Sequence, residues 1–201
     1  ERTYYSKLCL VQLAIPGEAE EDAVLVDPLT KGMSLDPLYA LFRNTDVVKV
    51  FHAARQDLEI FYDLYEKIPA PLFDTQIAAA LLGFSDQAGY GTVVEEMLGV
   101  TLDKGSARTD WAQRPLSATQ LAYAADDVRY LVRLYPLIMD KLTTLGRQDW
   151  LEEDFCNLTS PALYAKDAAS AWRRVAGHKR LKPRQLAVVQ QLATWREEQA
   201  R

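Results

Sequence analysis

The chain is poor in cysteine: its 201 residues include Cys9 and Cys156 and no others. Two thiols are too few for a disulfide framework and lack zinc-site spacing, so the sequence predicts reduced thiols in a cytoplasmic protein. Long apolar runs are also missing. None approaches the ~20 residues that a membrane-spanning helix requires. No basic-then-apolar leader opens the chain, so the reading expects no export. Charge of one sign is scarce only locally. The net charge of −5 divides into −11 over residues 1–165 and +6 over residues 166–201. An acidic body followed by a basic segment implies two modules with different tasks.

What is present is an ordered run of strand and helix patterns. "KLCLVQLAI" (7–15) and "AVLVDP" (23–28) read as strands joined by the acidic turn "PGEAEEDA", and therefore as an antiparallel pair. "LDPLYALFRN" (35–44) has helical spacing, "VVKVFHA" (47–53) is a third strand, and "ARQDLEIFYDLYE" (54–66) is a helix. "PLFDT" (71–75) is a short strand feeding the helix "QIAAALLGF", and "GTVVEEMLGV" (91–100) is a helix ending near Gly99. Residues 101–116 have no period and read as a loop. Residues 117–147 read as one long helix, N-capped by Ser117 and kinked at Pro136. Strands first, then alternation, then helices alone predict an α/β protein with a mixed sheet and flanking helices. The boundaries follow: 1–150 as the main domain, 151–166 as a linker, and 167–201 as an incomplete all-helical module.

The stretch "YAADDVRYL" (123–131) places two carboxylates side by side in the long helix, where aspartate is disfavoured. At ~100° per residue, Leu121, Ala125, Val128, Val132, Tyr135 and Met139 form the predicted apolar stripe. Asp126 turns toward Arg129 and Arg133, and toward solvent. Asp127 lies one turn from Tyr123, in line with Leu134 and Ile138, on the flank of the stripe. A carboxylate there needs compensation, from an Arg, a backbone N–H or a metal ion. Asp57 stands in the first turn of a helix that follows a strand. Such a position suits the helix dipole, and it also suits a site beyond a strand end. Asp74 is open to the same two readings, as an N-cap or as a site residue. Carboxylates and a tyrosine suit Mg²⁺ or Mn²⁺, which prefer oxygen.

"FHAARQDLEIF", "FDTQIAAALLG", "VEEMLGVTLDKGSARTDWAQRPL" and "YAADDVRYL" together resemble ribonuclease D, a 3′–5′ exoribonuclease family of the DnaQ-like DEDD superfamily, in the subclass marked by Tyr-x-x-x-Asp. The resemblance covers residues 1 to about 150. It implies a ribonuclease H-like fold, with Asp57 in the second exonuclease motif, Asp127 as the last metal carboxylate and Tyr123 as the residue that orients water. It implies two Mg²⁺ or Mn²⁺ ions in the intact protein, release of 5′-nucleotides from RNA 3′ ends, and tRNA precursors as substrate. "LKPRQLAVVQQLATWREEQAR" resembles the opening of the helical HRDC domain that follows the nuclease in this family. The family's first motif, Asp-x-Glu, lies upstream of "ERTYYSKLCLVQLA". The reading therefore expects metal to be weakly held or absent in the 201 residues alone, and no exonuclease activity from them alone. The alternative is a nucleic-acid-binding module on a degenerate nuclease fold.

The loop offers Lys104, Arg108 and Arg114 around Trp111. These could steer phosphate and stack a base, or could be solvated charges around a buried tryptophan. His52 reads as a packed histidine and not as a base. Tyr4 and Tyr5 could pack on a neighbouring strand or on a base. Arg173, Arg174, Lys179, Arg180, Lys182 and Arg184 form a basic patch suited to RNA.

Overall fold

The computed structural model describes residues 5–17, 23–103, 105 and 109–200. The chain divides into two units. The larger runs from Leu8 to Leu163, and the smaller joins the segment ending at Lys7 to the segment beginning at Tyr164.

In the larger unit, β1 (Val11–Ala14) and β2 (Ala23–Val26) pair antiparallel, with Val11 opposite Val26. β3 (Lys49–Phe51) and β4 (Leu72–Asp74) pair parallel, with Val50 opposite Phe73. The expected mixture of strand senses is present, divided over two pairs. Helix α1 (Asp36–Arg43) begins with proline in its first turn and buries Leu38 and Phe42. These meet Val11 and Phe61 in one small core. The second core gathers Phe73 of β4, Ala78 and Ala79 of α3 (Thr75–Ala80), and Val93 and Val94 of α4 (Tyr90–Leu98). Glycine ends α4 because Gly99 adopts the left-handed conformation, at φ 69°. Helix α2 (Arg55–Tyr65) links β3 to β4.

The long helix predicted for 117–147 is two helices, α5 (Ala118–Arg129) and α6 (Leu131–Thr144). Ser117 caps α5 as predicted, in a capping box with Gln120. The break falls at Tyr130, whereas Pro136 lies inside α6. At Tyr130 a side chain from α4 has entered the hydrogen-bond ladder, one of the recognised causes of a break. The break also separates two tasks. Helix α5 lies against β1 and β2, while α6 lies against α3, α4 and β3. The buried face is accordingly rotated from the predicted stripe: Ala124, Leu131, Leu134, Ile138 and Leu142 are buried, whereas Leu121 is 40% exposed.

Residues 151–158, expected within a linker, form α7 (Leu151–Leu158). Leu151, Phe155 and Leu158 share one face, and Phe155 meets Phe73 edge-on at 5.3 Å. Three acidic residues in its first turn favour the helix dipole.

In the smaller unit, 3₁₀ turns at Ala168–Arg174 and His178–Arg180 precede α8 (Pro183–Gln199). Glu197 is buried here. Arg174 pairs with it at 2.8 Å, Arg196 at 2.9 Å, and the Tyr5 hydroxyl donates to it at 2.9 Å. A buried carboxylate is tolerated because its charge and its lone pairs are met. No helix among the described residues is long and apolar enough to cross a membrane.

Candidate active site

Asp57 is placed by a corner built just ahead of it. β3 ends at Phe51, Ala53 takes a left-handed conformation at φ 57°, and α2 begins at Arg55. Alanine in that region is strained by ~1 kcal/mol or more, so other contacts must hold it. Asp74 supplies them. Its carboxylate accepts from the backbone N–H groups of Ala53 (3.0 Å), Ala54 (2.8 Å) and Gln76 (2.8 Å). Asp74 is thus the N-cap of α3 and also the fastening of the corner. With three N–H groups already on it, its work is structural.

His52 sits behind the corner as the sequence suggested, packed and bonded to Thr75 Oγ1 (2.9 Å) and the Ala88 carbonyl (3.0 Å). Burial lowers its pKa, against smaller opposing effects of Asp74 and the Ala88 bond. The neutral ring then donates from Nε2 to the Ala88 carbonyl, which can only accept, and the Thr75 hydroxyl beside Nδ1 donates to the Phe51 carbonyl at 3.0 Å.

The Asp57 carboxylate is open to solvent yet recessed among protein atoms. That desolvation, and next the charge of Asp74, push its pKa up to about 6. Asp127, half-buried on α5, is likewise raised to about 6, by desolvation and then by Asp126. Neither carboxylate is paired with a Lys or Arg among the described residues. Asp126 is instead bound to Arg129 at 2.8 Å, so it is partly shielded and not freely solvated. The two adjacent aspartates thus differ in their surroundings: Asp126, expected to face solvent, carries an arginine partner, and Asp127 carries none among the described residues.

Tyr123 lies one turn before Asp127 and feels its charge. Burial, then Asp127, then Asp103 raise the phenol's pKa, so the hydroxyl keeps its proton across the neutral range. Trp111 lies beside it, ring centroids 6.1 Å apart and tilted by 41°. The structure thus brings Trp111, Tyr123 and Asp127 together. Asp57 interacts with Asp74 instead, and the described residues include no group of three or more His, Cys, Asp or Glu side chains able to hold a metal ion.

Arg114 does not serve the phosphate role open to it in the sequence. Its Nε and Nη2 bind the two oxygens of Asp27 at 2.6 and 2.7 Å, Nη2 also donates to the Cys9 carbonyl, and Nη1 to the carbonyls of Trp111 and Gln113. This clamp fixes the loop that carries Trp111 to the β1–β2 pair. The bidentate arginine holds the Asp27 carboxyl down at about 2. Asp27 and Arg114 are separated by 87 residues, so no local pattern pointed to the pair. Lys104, Arg108 and Tyr4 lie outside the described residues.

The six basic residues picked out in the sequence of the smaller unit are exposed, but two are already engaged. Arg174 is bound to Glu197, and Arg173 lies 5.5 Å from the centre of the Trp172 ring. Lys179 and Arg180 in the turn, and Lys182 and Arg184 at the start of α8, are exposed. Tyr5 packs within its own unit, with Lys166 over its ring at 4.4 Å.

Residues 1–143 match the family of 3′–5′ exonucleases. A ribonuclease D from a Jannaschia species is 51% identical over 197 residues, 98% of this chain and 51% of that protein. The chain spans about half the length of the curated relatives it matches. Among solved structures, Escherichia coli RNase D, an exoribonuclease involved in structured RNA processing, superposes with a TM-score of 0.86 at 40% identity, over 100% of this chain and 52% of that one. Brucella melitensis NrnC bound to pGG gives a TM-score of 0.69 at 31% identity, over 85% of this chain and 80% of that one. The same protein with bound Mg²⁺ gives 0.67 at 31% identity, over 79% and 75%.

Proposed function

Because the chain belongs to the 3′–5′ exonuclease family, we propose that it carries the nuclease body of a metal-dependent exoribonuclease that releases 5′-nucleotides from RNA 3′ ends. The observation that carries this reading is the pair on α5: a protonated Tyr123 one turn from an Asp127 that is paired with no Lys or Arg among the described residues.

Asp57 and Asp127 fit a divalent cation. Both offer hard oxygen donors, and both hold a charge that the described residues leave uncompensated. Such cations, when bound, lower the pKa of a coordinated water and stabilise negative charge on phosphoryl oxygens. Tyr123 then acts as a positioning group. Its O–H stays protonated, so it directs an attacking water by hydrogen bonding and does not abstract the proton. Trp111, fixed by the Arg114 clamp, supplies an aromatic wall on which the terminal base stacks. Lys179, Arg180, Lys182 and Arg184 meet the phosphates of the RNA body. Structured RNA, tRNA precursors among it, is the substrate class this arrangement suits, in the cytoplasm.

The test is hydrolysis of a 3′-labelled RNA by paired variants of the intact protein. Asp127→Asn abolishes Mn²⁺-dependent release of nucleotides, by a factor of roughly 100 or more. Asp126→Asn stays near the parent rate, because its carboxylate is spent on Arg129. Equal losses in the two variants would sink the assignment.

A further inference from the structure

Tyr90 opens α4, and its hydroxyl reaches the end of α5. It donates to the carbonyl of Asp126 at 3.0 Å and accepts from the N–H of Tyr130 at 3.3 Å. In an unbroken α-helix these two backbone groups bond to each other, as residue i−4 to residue i. The phenol has taken the place of that rung. The carbonyl it holds belongs to the peptide unit joining Asp126 to Asp127. A side chain from another helix therefore grips the backbone from which the Asp127 carboxylate extends.

The ring of Tyr90 is braced in turn. It meets His52 at 5.5 Å with a tilt of 58°. His52 is bonded to Thr75 Oγ1 and to the Ala88 carbonyl, which also accepts from Gln76 Nε2 at 3.0 Å. Thr75 Oγ1 lies 3.0 Å from the Phe51 carbonyl, at the end of the strand that leads into the Asp57 corner. One continuous chain of contacts thus runs from the corner of Asp57 to the peptide of Asp127. It consists of uncharged side chains and a histidine whose two ring nitrogens are both engaged, so none of these groups is left over to bind a ligand.

We propose that Tyr90, braced by His52, is a positioning residue that sets the stance of Asp127 relative to Asp57. The proposal rests on the reading of those two carboxylates as cation ligands. Phenylalanine at position 90 keeps the ring and loses the hydroxyl. The Asp126 carbonyl and the Tyr130 N–H are then free to pair directly, which closes the helix and re-aims Asp127.

The experiment compares Tyr90→Phe, His52→Gln and Asp127→Asn in the intact protein. Mn²⁺ affinity is read by electron paramagnetic resonance, fold by thermal melting, and the rung by hydrogen exchange of the Tyr130 amide. kcat and KM are read on a labelled RNA. Tyr90→Phe melts close to the parent protein, protects the Tyr130 amide more strongly, and weakens Mn²⁺ binding ~10-fold, with a matching fall in kcat and less than about a twofold change in KM. His52→Gln, which can still donate to Ala88 but removes the ring under Tyr90, gives a smaller loss in the same direction. It also serves if the phenylalanine variant folds poorly. Parent-like Mn²⁺ affinity and kcat in Tyr90→Phe, with Asp127→Asn losing both, would overturn the positioning role and leave the site intact. Parent-like Mn²⁺ affinity in Asp127→Asn would remove the cation reading itself, and the proposal with it.

Discussion

Asp127 and Asp57 hold their charges against their surroundings. Each has its pKa pushed up from the ordinary 3.8 to about 6, because protein surrounds it and another acid stands nearby. For a carboxylic acid raised in this way, the favourable contribution to folding is complete below pH 3.8 and is lost as pH rises through about 6. Asp127→Asn therefore stabilises the metal-free protein at pH 8, and the gain vanishes toward pH 4. A two-unit shift in a fully shielded site corresponds to ~3 kcal/mol, and the partial exposure of Asp127 reduces the expected gain to ~1 kcal/mol. Asp57 is more exposed, and its asparagine variant gains less. Urea melts at the two pH values measure both; a gain independent of pH would mean that the carboxylate is not held against its environment. The same titration governs cation binding, which needs the ionised form. Mn²⁺ affinity should begin to fall as the pH drops below about 6, some two units above the point expected of ordinary aspartates.

At the scale of elements, the loop before α5 is held by one side chain. Arg114 places all its donor groups on Asp27 and on three carbonyls, drawn from the loop itself and from the segment entering β1. Arg114→Lys keeps the charge but cannot reproduce the planar fork. The expected result is faster cleavage of residues 109–116 by a nonspecific protease, with the melting of the core little changed. Because the Asp27 carboxyl is depressed to about 2, its contribution is present above pH 3.8 and is lost only as pH falls through about 2, so the loop stays closed at pH 5. An equally slow cleavage in parent and variant would show that the clamp is dispensable. The sequence disclosed the elements with local signals: Ser117 as a cap, Gly99 as a stop, and the antiparallel strands around an acidic turn. It also disclosed that Tyr123 and Asp127 lie close together, because a spacing of four shares a helix face. It misplaced the break in the long helix, since proline is a local mark while the Tyr90 hydroxyl arrives from forty residues away. It rotated the apolar stripe for the same reason: the two halves meet different partners, and no single wheel describes both. The amphipathic repeat of α7 was legible, with Leu151, Phe155 and Leu158 at helical spacing, but the acidic run in its first turn resembles a linker in composition alone.

For the whole molecule, the proposed function would divide the chain by charge, with chemistry in one unit and grip in the other. The larger unit holds the carboxylates, and the smaller holds Lys179, Arg180, Lys182 and Arg184 on an exposed turn and helix start. Replacing these four by glutamine should weaken binding of a structured RNA and flatten its dependence on salt, by a slope of roughly 3–4 in log K against log salt. Hydrolysis of a short single strand should change little. Arg174 belongs outside this set, because its removal uncovers a buried Glu197 and tests folding instead. An unchanged salt slope would show that the four side chains meet only water. The Tyr5–Glu197 bond has a further consequence for how the chain folds. It closes a loop whose contents are the entire larger unit. Closing so long a loop in a disordered chain costs entropy with no local contact to offset it. Once the larger unit has folded, its two ends are already fixed, and only the short flanking segments remain to be ordered. The smaller unit should therefore close last, after the larger one, and a stopped-flow trace in which it forms first would contradict this order.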